Sequence, residues 1–206
     1  MKTLFLTSSA STVLDDVVKY LPKAPKDLKV AFITTASEPE TGDLWWLKAD
    51  KDKLTDLAFQ LDEFTITGLN YSQIKSRIQT TDIIFVAGGN TFYLLDQAIK
   101  TGFDQALKEE LGSKIYIGSS AGSMIIGKRI DLVSTIDDRS KAPDLKSDGL
   151  GIIDMALLPH WGDPGLKEEY RQGFDSLYTD NLKIIPIANN QYLFFNDDNF
   201  RIIQIA

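Results

Sequence analysis

The sequence predicts an α/β domain with three layers, built on a mostly parallel sheet with antiparallel strands at its C-terminal edge. Three observations predict it. Short apolar runs of strand length alternate with longer stretches of helical spacing. Those runs are almost continuously apolar, as in strands covered on both faces. Toward the end of the chain, two apolar runs flank Asn196-Asp197-Asp198-Asn199, which reads as a hairpin.

The expected strands are Thr3 to Leu6, Val30 to Thr34, Phe64 to Leu69, Ile83 to Val86, Lys114 to Ile117 and Ile184 to Ile187. Each is rich in β-branched or aromatic residues. Between them, Ser11 to Leu21 places Val13, Leu14, Val17, Val18 and Leu21 near one helical face. Trp46 to Leu61 repeats the spacing with Leu47, Leu54, Leu57, Ala58 and Leu61. Tyr71 to Ile78 follows Asn70, a natural helix cap, and Thr91 to Ile99 and Gly102 to Leu111 read as two further helices. Tyr192 to Phe195 and Phe200 to Ile205 are the arms of the hairpin. Ser134 to Gly151 is polar and reads as a long surface loop. No repeat or linker interrupts the chain, so residues 1–206 are expected to form one domain.

Composition narrows the chemistry. The 206 residues are 43% apolar, enough for a packed core. The net charge of −7 would repel phosphate backbones and anionic lipid, so neither nucleic acid nor membrane is an expected partner. There is no cysteine, which removes thiol nucleophiles, disulfides and zinc–thiolate sites. With a single histidine, a histidine-cluster metal site is excluded too. No metal or cofactor is expected. The first residues are too briefly apolar for a signal peptide and no run reaches a membrane span, so the expected compartment is the cytoplasm. Homo-oligomerisation stays open.

The segment that carries chemistry is Ile117-Gly118-Ser119-Ser120-Ala121-Gly122-Ser123. A strand runs into a small-residue turn, and an apolar, helix-compatible run follows. This is the context of a Gly-x-Ser-x-Gly nucleophile elbow. The sharp turn pushes Ser120 out of the fold, while small neighbours keep the turn free of collisions. The amide of Ala121 is the natural donor to an oxyanion. By chance alone the pattern is expected about 0.07 times in such a chain, so its context decides. The bland alternative is a Gly/Ser helix cap, or an anion site.

A serine hydroxyl needs a base within hydrogen-bond reach. His160, in Leu158-Pro159-His160-Trp161-Gly162-Asp163-Pro164, is the sole imidazole and follows an apolar run. It is placed to sit at the C-terminal end of a strand, where open α/β sheets assemble their sites. A lone histidine is by default a packing or surface residue. The elbow shifts the balance toward catalysis.

Ile83-Ile84-Phe85-Val86-Ala87-Gly88-Gly89-Asn90-Thr91-Phe92, the serine elbow and the Pro159-His160 segment together resemble the aspartyl dipeptidase (dipeptidase E) family of serine peptidases, which includes cyanophycinase. The resemblance implies a fold related to class I glutamine amidotransferases. It implies Ser120 as nucleophile, His160 as general base, and Gly89 as a second oxyanion donor beside Ala121. It also implies a carboxylate between serine and histidine, for which Asp137, with Asp138 beside it, is the expected third catalytic residue. The competing family position is a glutamate on the loop before the last strands. Here that loop reads Ala188-Asn189-Asn190-Gln191, so an orienting group there would be an Asn amide. Asp163 is a further candidate, or a cap for a helix starting near Pro164. The family's dipeptidases carry more arginine around Lys167-Glu168-Glu169-Tyr170-Arg171. Arg171 is the matching substrate contact, or a surface residue paired with Glu168.

The expected function is hydrolysis of short peptides by a serine peptidase. The alternatives are an esterase or amidase using the same machinery, and a non-catalytic small-ligand or peptide-binding protein on the same fold.

Overall fold

The computed structural model describes residues 2–146, 148–177, 182–197 and 199–206. Ser147 in the expected polar loop and Asp198 in the expected hairpin turn lie outside them. The main sheet has seven strands: β1 (Thr3–Thr7), β2 (Lys29–Ile33), β3 (Gln60–Phe64), β4 (Ile83–Val86), β5 (Ile115–Ser119), β8 (Gln191–Asn196) and β9 (Asn199–Gln204), in the order β3-β2-β4-β5-β1-β8-β9. The first five of that order run parallel. The last two pair antiparallel as a hairpin on the β1 edge.

Side chains alternate across each parallel strand, so both faces of the sheet are buried. Leu4, Leu6, Ile33, Ile84, Val86 and Tyr116 face one way. They pack under α3 (Tyr71–Gln79), α4 (Thr91–Thr101) and α5 (Phe103–Glu110), through Ile74, Ile78, Leu94, Leu95 and Leu107. Phe5, Val30, Phe32, Ile83, Phe85 and Ile117 face the other way, against α1 (Ala10–Val17) and α2 (Trp45–Asp56). Each buried Ile or Phe stabilises the fold by roughly 1.5–3 kcal/mol. Local signals agree with this packing. Asn70 and Gln73 form a reciprocal capping box at the start of α3. Asn90 caps α4 through Tyr93 N–H at 2.9 Å.

Two expected elements differ. The helix predicted from Trp46 to Leu61 ends at Asp56, and the chain turns at Ala58, whose φ is +65°. The strand predicted over Phe64 to Leu69 lies earlier, at Gln60–Phe64. It is an edge strand with polar Gln60, Asp62 and Glu63, held by backbone pairing to β2. Such a strand carries little apolar signal, and its pairing outweighs the helical spacing. The helix-compatible run after the elbow is also shorter than expected: α6 is a single turn, Ala121–Met124.

Ile184 to Ile187 does contain a strand, β7 (Ile184–Pro186), but outside the main sheet. It pairs in parallel with β6 (Ala156–Leu158) as a separate two-stranded sheet. Leu158 opposes Pro186, Ile187 N–H donates to Leu158 O at 3.0 Å, and Trp161 N–H donates to Ile187 O at 3.0 Å. The residues just beyond these two strands, 159–163 and 188–190, are thereby held side by side. No helix among the described residues is long and apolar enough to cross a membrane.

Candidate active site

The parallel strands β1, β4 and β5 deliver their C-terminal ends to one place, as the fold class requires. Ser120 leaves β5 with φ +48° and ψ −108°, which for a residue with a side chain stores about 1–3 kcal/mol of strain. Its N–H donates to Thr7 O at 3.0 Å. Ser123 Oγ donates in the region of Thr7 O and Gly118 O, both at 2.8 Å, and ties the turn to β1. The turn can close only because Gly122 lacks a side chain: a Cβ there would lie 2.1 Å from Val86 O.

The glycine turn after β4 lies against the same serine. A Cβ on Gly88 would meet Ser120 Cβ at 3.3 Å, and Gly89 has φ +129° with its backbone pressed against Ala36 O. The N–H groups of Gly89 and Ala121 donate to no backbone acceptor among the described residues. The Gly-Gly turn and the elbow thus meet at one cavity, lined by Gly88, Gly89, Ser119 and Ser120, with the Ala121 amide next in the chain.

Across that cavity stands His160, half-buried, with φ +59°. Ser120 Oγ is 2.9 Å from His160 Nε2. The other ring nitrogen, Nδ1, is 2.7 Å from Asn189 Oδ1. Because an amide oxygen only accepts, Nδ1 carries the ring proton and Nε2 is left to accept from Ser120. Ser8, the residue after β1, completes the support. Its Oγ accepts from His160 N–H at 2.7 Å and donates to Asn189 Oδ1 at 2.8 Å. Burial holds the His160 pKa below its ordinary value, against the bond from Asn189 and the charge of Asp163, which raise it. A neutral imidazole touching a serine hydroxyl can take that hydroxyl's proton.

The structure brings Ser120, His160, Gly89 and Ala121 together. It does not bring Asp137 to the histidine. Asp137 sits at the start of α4, where its Oδ2 accepts from Thr91 N–H at 2.8 Å. A helix N-terminus offers unpaired N–H groups, and that attraction decides where the carboxylate goes. The group behind the ring is Asn189. Asp163 stands one step further out, with Oδ2 3.3 Å from Asn189 Nδ2 and Oδ1 accepting from Gly165 N–H at 2.8 Å. Asp138 caps the turn at Ser140 instead. Arg171 does not line the cavity: its side chain is 80% exposed and lies 3.8 Å from Glu168.

The cavity in front of Ser120 measures about 650 Å³. Trp45, Trp46 and Ile136 give it apolar surface. Its charge is acidic, with Glu40, Asp50, Asp137, Asp138 and Asp163 against Lys141. Two of these carboxyls are unusual. Asp50, 3% exposed and bonded to Ser11 N–H and the Ser119 hydroxyl, is pushed up to about 6 by burial. Burial pushes Asp137 up to about 6 as well, and Glu40 adds to the rise. Among the described residues no group of three or more His, Asp or Glu is arranged to hold a metal ion. Sequence reasoning missed Ser8 and Asp50. Asp50 lies in Lys48-Ala49-Asp50-Lys51-Asp52-Lys53, where it looks like any solvated helix residue.

A half-buried serine on a strained strand-to-helix turn, with an imidazole on its hydroxyl, is the arrangement found in hydrolases of the serine class. The chain belongs to peptidase family S51, whose family model matches residues 4–203. It is 35% identical over 199 residues to an uncharacterised peptidase of Listeria monocytogenes, covering 94% of each chain. A peptidase E of Shewanella denitrificans is 29% identical over 180 residues, covering 83% of this chain and 73% of that one. A solved structure from Listeria monocytogenes EGD-e, described as a candidate peptidase E, superposes with a TM-score of 0.91 at 31% identity over the whole of both chains. The protein is therefore a serine peptidase on the peptidase E fold.

Proposed function

We propose that this peptidase hydrolyses short peptides through an acyl-enzyme on Ser120. The observation that carries the reading is the 2.9 Å approach of Ser120 Oγ to His160 Nε2 at the elbow. His160 takes the Ser120 proton as Oγ attacks the scissile carbonyl carbon. The oxygen of the tetrahedral intermediate faces the N–H groups of Ala121 and Gly89. His160 then gives its proton to the leaving amine. Water, deprotonated by the same imidazole, releases the acyl group and restores the serine.

The lining of the cavity bears on which peptides enter. Five carboxylates against one lysine favour a substrate's free ammonium group and oppose an extra negative side chain. We therefore propose small peptides with a free amino terminus and a neutral or basic first residue, not an aspartyl one.

The reading is tested with Ser120→Ala and His160→Ala against a dipeptide and tripeptide library, with folding checked by circular dichroism. Each variant is expected to lose hydrolysis while staying folded, and a serine-directed acylating probe is expected to label Ser120. Full activity in either variant would sink the mechanism. A wild-type protein that is neither labelled nor active on any peptide would favour a binding protein.

A further inference from the structure

Asn189 stands where a serine hydrolase usually places a carboxylate, and a neutral amide there carries a hazard that a carboxylate does not. A carboxylate looks the same either way round. An amide turned over would point its N–H at His160 Nδ1. The ring proton would then move to Nε2, leaving nothing to accept from Ser120. In a Ser-His-Asp triad, replacing the Asp by Asn costs about 10⁴ in kcat for this reason.

Asp163 opposes the turned-over form, and Ser8 can donate to the form seen. Asp163 Oδ2 lies 3.3 Å from Nδ2, and a carboxylate can only accept. Ser8 Oγ lies 2.8 Å from Oδ1. Because that hydroxyl already accepts from His160 N–H at 2.7 Å, its own proton is free to go to Asn189. Asp163 is brought there by a tight turn, in which Asp163 N–H donates to His160 O at 3.0 Å. Its two oxygens are divided between two tasks, Oδ1 to Gly165 N–H and Oδ2 to Asn189.

We propose that Asp163 is a positioning residue that acts through Asn189. It locks the amide so that Oδ1 faces His160, and so keeps the ring in the tautomer that can accept from Ser120. Its negative charge, relayed by the amide dipole, also favours the imidazolium formed during attack. The two residues in series do what one carboxylate does in a usual triad. The catalytic part of this rests on the proposed role of His160 as base. The charge of Asp163 does act on the ring in the expected direction. The other charged groups around the cavity, Glu40, Asp50, Asp137, Asp138 and Lys141, are left in place by the tests below.

The test uses Asp163→Asn, which keeps an oxygen for Gly165 N–H and so preserves the turn. His160 is the sole histidine, so its ring nitrogen resonances are unambiguous. In the wild type, nitrogen-15 NMR of the neutral ring is expected to show the proton on Nδ1. In Asp163→Asn the form with the proton on Nε2 is expected to grow. kcat should fall roughly 10- to 100-fold with KM little changed, as when a group that orients a site from behind is removed. The acid limb of the kcat/KM profile should move to lower pH. In an Asn189→Asp background, which cannot be turned over and sets two carboxylates side by side, Asp163→Asn should not lower kcat. An unchanged tautomer in folded Asp163→Asn overturns the proposal, and so does an equal loss of kcat in both backgrounds. The tautomer is read without substrate. A tautomer shift in a protein that cleaves no peptide would therefore uphold the positioning role and overturn only the peptidase mechanism.

Discussion

Asn189 Oδ1 lies 2.7 Å from His160 Nδ1, the place where a serine hydrolase usually keeps a negative charge. An amide oxygen can orient the ring but stabilises the imidazolium less than a carboxylate does. Burial is then the largest influence on the base, and it favours the neutral ring.

That balance sets the pH profile. The imidazolium cannot accept from Ser120, so kcat/KM rises as pH climbs through the His160 pKa. Burial holds that pKa below the ordinary 6.5. Half-maximal kcat/KM on the acid side is therefore expected below pH 6.5. Asp50→Asn and Asp137→Asn profiles separate any contribution from those carboxyls. An acid limb centred above 6.5 in all three proteins would contradict the burial argument.

Asp50 sets a pH dependence of stability. Well below pH 3.8 its carboxyl is protonated in folded and unfolded chains alike. As pH rises, the unfolded chain ionises it near 3.8, while the folded protein holds the proton to about 6. Stability is thus lost across that window, by up to about 3 kcal/mol above pH 7. Asp50→Asn is expected to flatten this decline and to be the more stable protein at pH 8. Urea unfolding at pH 4, 6 and 8 measures it, and parallel curves for the two proteins would refute it.

Gly122→Ala should damage both the elbow and the fold. The added Cβ has backbone 2.1 Å away, at Val86 O, and backbone cannot step aside as a side chain can. A loss of roughly 2–4 kcal/mol is expected, with hydrolysis abolished. Thermal unfolding beside an activity assay reads both effects. A folded, active variant would mean that the elbow has more room than its geometry shows.

Substrate charge offers a direct check on the cavity. Matched dipeptides differing only in the first residue should separate by charge. Asp at that place is expected to lower kcat/KM by roughly tenfold relative to Ala, with Lys equal to or better than Ala. Added salt should narrow the gap. Faster cleavage of the aspartyl peptide would remove the acidic lining as a determinant.

Arg171→Ala is expected to leave kcat/KM within about twofold of wild type, since the side chain is exposed and paired with Glu168. A large rise in KM for acidic peptides would restore it as a substrate contact.

What the sequence revealed depended on how local the causes were. Ser120 was legible because the elbow's steric needs are written in its own neighbours, Gly118, Ala121 and Gly122. His160 was legible by elimination in a chain with one imidazole. The parallel sheet was legible because strands buried on both faces are continuously apolar, and β3 escaped because an edge strand is not. Asn189 was visible only as an alternative. Its meeting with His160 depends on the register of β6 against β7, which brings together residues about thirty apart. Asp137 was misplaced because its position between serine and histidine in the chain matched the family pattern. The attraction that places it is the free N–H of Thr91, on a helix that comes much earlier.

The small β6–β7 sheet stands apart from the seven-stranded one, yet it carries His160 and Asn189, while Ser120 rides on β5. Nucleophile and base therefore belong to separately paired scaffolds, joined by packing, by the Ser8 hydrogen bonds to His160 and Asn189 and by the short link from Asn189 to β8 rather than by a shared strand ladder. Loosening the smaller scaffold would part the two by more than a hydrogen bond's reach while the larger one stayed intact. Enzyme action should accordingly fail before the main fold does, at a lower concentration of urea or a lower temperature, and return when the small sheet docks again.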